Sequence, residues 1–313
     1  MRGAAVGIDL GGTKVMGLRI DPDGAIQARE IRDTPPRDPD TILDAVLDVA
    51  ETLAGGGMAG AVGVGAAGMV DFEAGALAFS PNLPLREVSL RALVADRVAI
   101  PCVVDNDANA AAWGEYRFGA ARGTRHALVV TVGTGIGGGI IEDGRLFRGA
   151  HGFAAEIGHV IVEPDGPPCG CGNRGCWEQV ASGQAIGRLG QQLADADPTS
   201  LIATLAGGER VTGRHVSDAA AKGDGGAMAI FAEVGRRLGE GIAGLVNTLD
   251  PELVVVGGGV AEEGDLLLEP ARRAFRDAVE APDHRPDVQI VAALLGNDAG
   301  AIGAAALALD LLE

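Results

Sequence analysis

Three cysteines and a histidine close together in this chain have the makings of a metal clamp. His159, Cys169, Cys171 and Cys176 follow the spacing H-x9-C-x-C-x4-C. Three thiolates and one imidazole make a closed tetrahedral zinc set, which leaves no open position for catalysis. Cysteines are often no more than small buried hydrophobes, but Pro167, Pro168, Gly170, Gly172 and Gly175 make this stretch a poor core element. A disulfide would leave one of the three unpaired, and the opening MRGAAVGIDL does not read as a secretory signal. Structural zinc in a reducing cytoplasm is therefore the expectation. Glu156 lies three residues before His159, and Glu178 two after Cys176. Fixing the metal fixes both carboxylates. Ionised carboxylates only accept hydrogen bonds while sugar hydroxyls donate them, so the arrangement suits a polyol.

A second group of polar residues is Asp105-Asn106-Asp107, at the end of an apolar run and ahead of an alanine-rich stretch. The carboxyl end of a strand is where α/β sheets bind ligands, and Asp and Asn are also the favoured helix N-caps. One residue can cap while Asp107 faces the ligand. Asn82, in the rigid loop Ser80-Pro81-Asn82-Leu83-Pro84, is a weaker candidate, because loop amides usually bond the backbone.

Glycine turns form the third group. Asp9-Leu10-Gly11-Gly12-Thr13-Lys14 joins two strands and lets backbone amides, a hydroxyl and a charge approach phosphate. It is not a Walker loop, which would open a helix. Thr131-Val132-Gly133-Thr134-Gly135 repeats the strand, glycine turn and strand design, again without the helix of a dinucleotide fingerprint. That echo points to two related halves. Gly257-Gly258-Gly259 offers bare backbone on which a base or ribose could lie.

The elements that must carry these groups are legible in outline. Strands are expected at Ala4–Leu10, Val15–Ile20, Ala61–Ala66, Val98–Val104, His126–Val132 and Leu253–Val256. A helix capped by Asp40-Thr41 carries Ile42, Val46, Val49 and Leu53 on one face, 184–246 is mainly helical, and a small-residue helix runs from Ala299 to Leu312. At 313 residues and 47% hydrophobic content, two lobes each have material for a core. A net charge of −18, from 43 acidic and 25 basic residues, argues against nucleic acid as a partner. No apolar run is long enough to span a membrane.

Glu156-Ile157-Gly158-His159 and Cys169-Gly170-Cys171-Gly172-Asn173-Arg174-Gly175-Cys176-Trp177-Glu178, together with the Asp9–Lys14 turn, make the chain similar to the ROK-family sugar kinases over nearly its whole length. The resemblance implies an α/β, two-lobed actin-like ATPase (ribonuclease H-like) fold with a cleft between the lobes. Residues 1–117, with 298–313 packing back, would form the small lobe, and 118–297 the large one. It implies ATP-dependent phosphorylation of glucose at the 6-hydroxyl, with Mg²⁺ as cofactor alongside the zinc. Asp107 would be the general base, and Asn82, Asn106, Glu156, His159 and Glu178 would hold the sugar. Asp9, Gly11, Gly12, Thr13, Lys14, Thr134 and Gly135 would face the phosphates and Mg²⁺, with Gly257 and Gly258 by the adenosine. A dimer or tetramer is implied in the same way. Kinases of another hexose, such as N-acetylmannosamine or fructose, are the alternative. A sugar-responsive regulator is less favoured, because a strand by Ala4 leaves no room for an N-terminal helix-turn-helix.

Overall fold

The computed structural model describes residues 3–34, 38–80 and 82–313; Met1, Arg2 and Pro81, the last within the loop expected to present Asn82, lie outside them. The chain divides into two compact units. The first comprises Met1–Val129, Gly138–Ala155 and Ala293–Glu313, and the second Val130–Gly137 and Glu156–Ala292.

The first unit is built on a sheet of β1 (Ala5–Leu10), β2 (Lys14–Ile20), β3 (Ile26–Asp33), β4 (Ala61–Ala66) and β8 (Cys102–Asn106). The order is β3-β2-β1-β4-β8; β1–β2 and β2–β3 are antiparallel, and β1–β4 and β4–β8 parallel. Helix α1 (Pro39–Ala54) buries Ile42, Val46, Val49 and Leu53 against it, with Asp38 rather than Asp40 at the N-cap. Pro at the first helical position favours that earlier start, since its missing N–H would be unpaired there anyway.

The other face is covered by α10 (Ala299–Asp310), which packs on β1, β4 and α3 (Asp107–Phe118) and buries nearly every residue. Such a helix, apolar all round, belongs between layers. Close approach explains the strand glycines beneath it. A side-chain carbon on Gly7 would lie 1.9 Å from the Ala301 carbonyl oxygen, and one on Gly63 1.8 Å from that of Ala304.

The run expected to be a strand over Val98–Val104 is divided. Val98 closes helix α2 (Leu90–Val98), Ala99 takes the left-handed conformation, and β8 starts only at Cys102. Pro101 lacks a ladder donor, so pairing begins after it and extends through Asp105 and Asn106. A small antiparallel sheet, β5 (Met69–Asp71), β6 (Ala76–Phe79) and β7 (Arg86–Val88), completes this region.

A second five-stranded sheet runs β11 (Arg145–Leu146), β10 (Ile136–Glu142), β9 (Ala127–Val132), β12 (Leu253–Gly257) and β13 (Gln289–Ala292). Numbered within itself, it has the same strand order as the first sheet, in keeping with the echo of the two glycine turns. Helices α4 (Glu178–Ala181), α5 (Gly183–Ala196), α6 (Leu201–Ala206), α7 (Gly213–Ala221), α8 (Gly225–Leu249) and α9 (Asp265–Ala278) all lie in the second unit. Phe231, Val234, Leu238, Ile242 and Val246 form the buried stripe of α8, and α9 packs along that helix. Among the described residues, no helix is long and apolar enough to cross a membrane.

Candidate functional site

In the second unit a folded-back segment assembles the clamp. Bridges pair Ile161 with Cys176 and Pro168 with Arg174, and the Cys169 amide donates to the Asn173 carbonyl at 2.8 Å. His159 comes from a 3-10 turn, Ile157–His159, that follows Glu156 directly. The ligand atoms of His159, Cys169, Cys171 and Cys176 all lie within 4.8 Å of one another. Cys169 Sγ is 3.6 Å from His159 Nδ1, and Cys171 Sγ is 3.6 Å from Cys176 Sγ. Bonds of about 2.0–2.3 Å in a tetrahedron give ligand separations close to these. All four cysteines of the chain are free of disulfides. A Cys₃His set of this spacing fits zinc, with His159 Nδ1 turned to the thiols.

Trp177, 1% exposed, anchors the segment by donating from Nε1 to the Arg237 carbonyl of α8 at 3.0 Å. The next residue, Glu178, is thereby fixed. Its Oε1 accepts from Cys169 Sγ at 3.1 Å and lies 3.8 Å from His159 Nδ1. Its Oε2 rests against the β9–β10 turn, where a side-chain carbon on Gly135 would lie 2.3 Å away. The turn is itself held. The Gly133 amide donates to the Gly135 carbonyl, and the first amides of α5, from Gly183 and Gln184, donate to the carbonyls of Gly133 and Thr134.

The third glycine run divides by role. Gly258 has φ of +86° and backs onto β9, where a side-chain carbon would sit 2.5 Å from the Val132 carbonyl oxygen. Close packing alone requires that glycine. Gly257 is buried at the end of β12, whereas nothing lies within 4 Å of a side-chain carbon on Gly259. The open backbone is at Gly259, one residue beyond the Gly257 and Gly258 expected to lie by the adenosine.

In the first unit, the parallel strands β1 and β8 carry polar residues at or next to their ends. Asp9 is the penultimate residue of β1, and the Gly11-Gly12-Thr13 turn follows, closed by the Gly11 amide on the Lys14 carbonyl at 3.0 Å. Thr34 pins that turn, its amide donating to the Thr13 carbonyl and its hydroxyl to the Gly11 carbonyl. Asn82 lies beside Gly12, with 3.4 Å between its Cβ and a side-chain carbon placed there. The buried Ser80 hydroxyl accepts from the Asn82 and Leu83 amides and so shapes the loop.

Asn106 is the N-cap of α3. Its Oδ1 accepts from the Ala108 and Asn109 amides, and its Nδ2 donates to the Gly68 carbonyl at 3.0 Å. Only one amide hydrogen is then left for a ligand. Asp107 is the first residue of α3, and its Oδ1 accepts from the Ala108 amide. The capping role expected of one residue in this group thus falls to Asn106, with Asp107 next to it at the start of the helix.

Electrostatically, Asp9 and Asp107 are strained as carboxylates. Burial, and next the charge of Asp107, push Asp9 up to about 7 against the opposing pull of Lys14. Burial likewise raises Asp107, against hydrogen bonds that favour its ionised form. Two buried carboxyl groups, one of them raised further by the charge of the other, fit a site completed by a cation.

These features have counterparts in known proteins. Residues 5–311 match the ROK family. A glucokinase of Streptomyces coelicolor is 43% identical over 310 residues, covering 98% of each chain. A Thermotoga maritima glucokinase is 39% identical over 307 residues, covering 96% of each. Among solved structures, a ROK family glucokinase from Streptomyces griseus in complex with glucose and AMPPNP aligns with TM-score 0.90 and 44% identity, over 98% of this chain and 100% of that one. With a family match over almost all of its length and these relatives, the α/β chain described above belongs to the ROK family.

Proposed function

We propose that this protein is an ATP-dependent glucokinase, transferring the γ-phosphoryl group of ATP to the 6-hydroxyl of glucose. The observation that carries the reading is 43% identity to a glucokinase over 98% of both chains. The Streptomyces griseus relative, bound to glucose and AMPPNP, supports both substrates.

In this reading Asp107 takes the proton of the sugar 6-hydroxyl. That oxygen attacks the γ-phosphorus in line, the new O–P bond forming as the bond to the β-phosphate oxygen breaks and ADP leaves. A raised pKa strengthens Asp107 as a base, provided it is ionised at the working pH. Phosphoryl transfer is loose, so most of the rate comes from positioning and charge neutralisation. Mg²⁺, held through Asp9, supplies that neutralisation when bound. The amides and hydroxyls of Gly11, Gly12, Thr13, Thr134 and Gly135, with Lys14, take the phosphates, and Gly257 to Gly259 lie by the adenosine. Asn82, Asn106, Glu156, His159 and Glu178 are assigned to sugar hydroxyls. Zinc orders the segment bearing His159 and Glu178 and has no open position for chemistry. A homo-oligomer in the cytoplasm completes the proposal.

The test is a coupled ATP-consumption assay with Mg²⁺ across glucose, mannose, fructose, N-acetylglucosamine and N-acetylmannosamine. A kcat/KM clearly highest for glucose supports the reading, and a preference for N-acetylmannosamine or fructose replaces it with the other hexose kinase. Asp107→Asn should keep sugar binding and lose orders of magnitude in kcat. Turnover within about tenfold of the parent protein would remove Asp107 as the base.

A further inference from the structure

A carboxylate beside the proposed base is held in a way that neither the sugar nor the phosphate assignments explain. Asp105 is 1% exposed. Its Oδ1 accepts from the Asn106 amide at 2.8 Å and from Asn109 Nδ2 at 3.0 Å, while its Oδ2 accepts from Arg148 Nε at 2.7 Å. Arg148 follows β11, and its guanidinium lies 3.8 Å from the centre of the Phe72 ring. Phe72 belongs to the β5–β6 turn, whose Phe72 and Glu73 carbonyls accept from Arg91 of α2. The chain after Arg148 lies on the same turn, where a side-chain carbon on Gly152 would be 2.7 Å from the Val70 carbonyl oxygen.

A buried ion pair is a poor way to gain stability, since desolvation of the charges offsets most of their attraction and an apolar pair of the same shape does as well. What the pair adds is direction. With Oδ2 committed to Arg148, Oδ1 is aimed at the first turn of α3, where Asn106 caps and Asp107 begins the helix. Asn106 is tied on its other side to the Gly68 carbonyl. The peptide carrying the base is thus held from both flanks, and its orientation depends on the rotamer of Asp105. Arginine suits the task better than lysine, because one planar group meets the carboxylate at its edge and the phenyl ring with its face.

We propose that Arg148 is a positioning residue for phosphoryl transfer, acting through its ion pair with Asp105 to set the orientation of Asp107. The inference rests on the reading of Asp107 as the base. It predicts a loss in kcat rather than in substrate binding, since neither Arg148 nor Asp105 is itself assigned to sugar or nucleotide.

The experiment compares the parent protein, Arg148→Met, the double variant Arg148→Met with Asp105→Asn, and Asp107→Asn. Kinetics are measured against glucose and ATP separately, beside thermal melts. Arg148→Met leaves a buried carboxylate without its counter-ion and loses Tm. The double variant restores neutrality, and the new asparagine still offers an oxygen to the Asn106 amide and Asn109 Nδ2. Its Tm should return to within a few degrees of the parent, while kcat stays down by about tenfold or more with both KM values little changed. A double variant with parental kcat overturns the proposal and leaves the pair a structural one. A loss of kcat that comes with a lowered Tm and raised KM values for both substrates overturns it too, because that is general disruption. If the parent shows no glucose-dependent ATP turnover, or Asp107→Asn turns over like the parent, the reading beneath the inference fails, and does so in proteins that still carry Arg148.

Discussion

Asp9 shows how a functional carboxylate acts on stability. Its carboxyl keeps a proton up to about pH 7 in the fold, because burial and the neighbouring Asp107 charge disfavour ionisation, whereas its ordinary value is 3.8. The folded state therefore binds a proton that the unfolded chain has released. Stability from this residue is full below the lower value and is lost as pH rises through the upper one. A shift of this size is worth at most about 4 kcal/mol. Asp9→Asn, neutral at every pH, should remove the slope. Melts of the ligand-free proteins should show the variant gaining on the parent as pH rises from about 5.5 to about 8, above the isoelectric region near 4.6. On the proposed assignment of Asp9 to Mg²⁺, the same variant should also lose turnover, since it gives up the charge that would meet the metal. Equal slopes for both proteins would mean that Asp9 is ionised in the fold.

At the scale of elements, the metal segment and α10 make separate predictions. The clamp gathers three of the four cysteines on a loop segment that the metal would hold together, while Cys102 sits buried in β8, inside a sheet that must open before it is reached. A chelator added to zinc-loaded protein should therefore release three thiols to a thiol reagent before unfolding and the fourth only on unfolding. Four fast thiols, or none, would contradict the arrangement. For α10, Gly63→Ala places a carbon where the Ala304 carbonyl oxygen lies. It should cost about 1–3 kcal/mol or more in urea unfolding, because neither the strand nor an all-buried helix can retreat without exposing the layer.

These two elements also show what could be read from sequence. The cysteine spacing, the small residues of 299–312 and the alternation of apolar strands with glycine turns all carry local signals, and β4 matches its expected span. Val98–Val104 misled because apolar residues continue across a helix end and a strand start, and periodicity alone cannot divide so short a run. Helices α2 and α9, strand β13 and the β5–β7 sheet gave no such signal. At the site, residue types were legible but not their bonds. The use of Asn106 as a cap and the hold of Arg148 on Asp105, 43 positions away, depend on the fold.

For the whole molecule, the main physical fact is charge. The chain carries −18 at neutral pH, and a field of that sign acts on every anion that approaches it, in proportion to the anion's own charge. Mg²⁺-bound ATP brings a small net charge, and on the proposed assignment backbone amides at the glycine turns would meet it at short range, where the overall field matters least. A long inorganic polyphosphate is different. It would bring many phosphates against an acidic surface and release few counter-ions in return, since basic residues number only 25 against 43 acidic ones. Polyphosphate should accordingly be a poor donor, with kcat/KM at least about a hundredfold below that of ATP at low ionic strength. Added salt should raise its use by screening the repulsion, while ATP use changes little. Polyphosphate turnover comparable to ATP, falling as salt is added, would require a basic track on the surface that outweighs the net charge, and the donor assignment would then extend to the polymer.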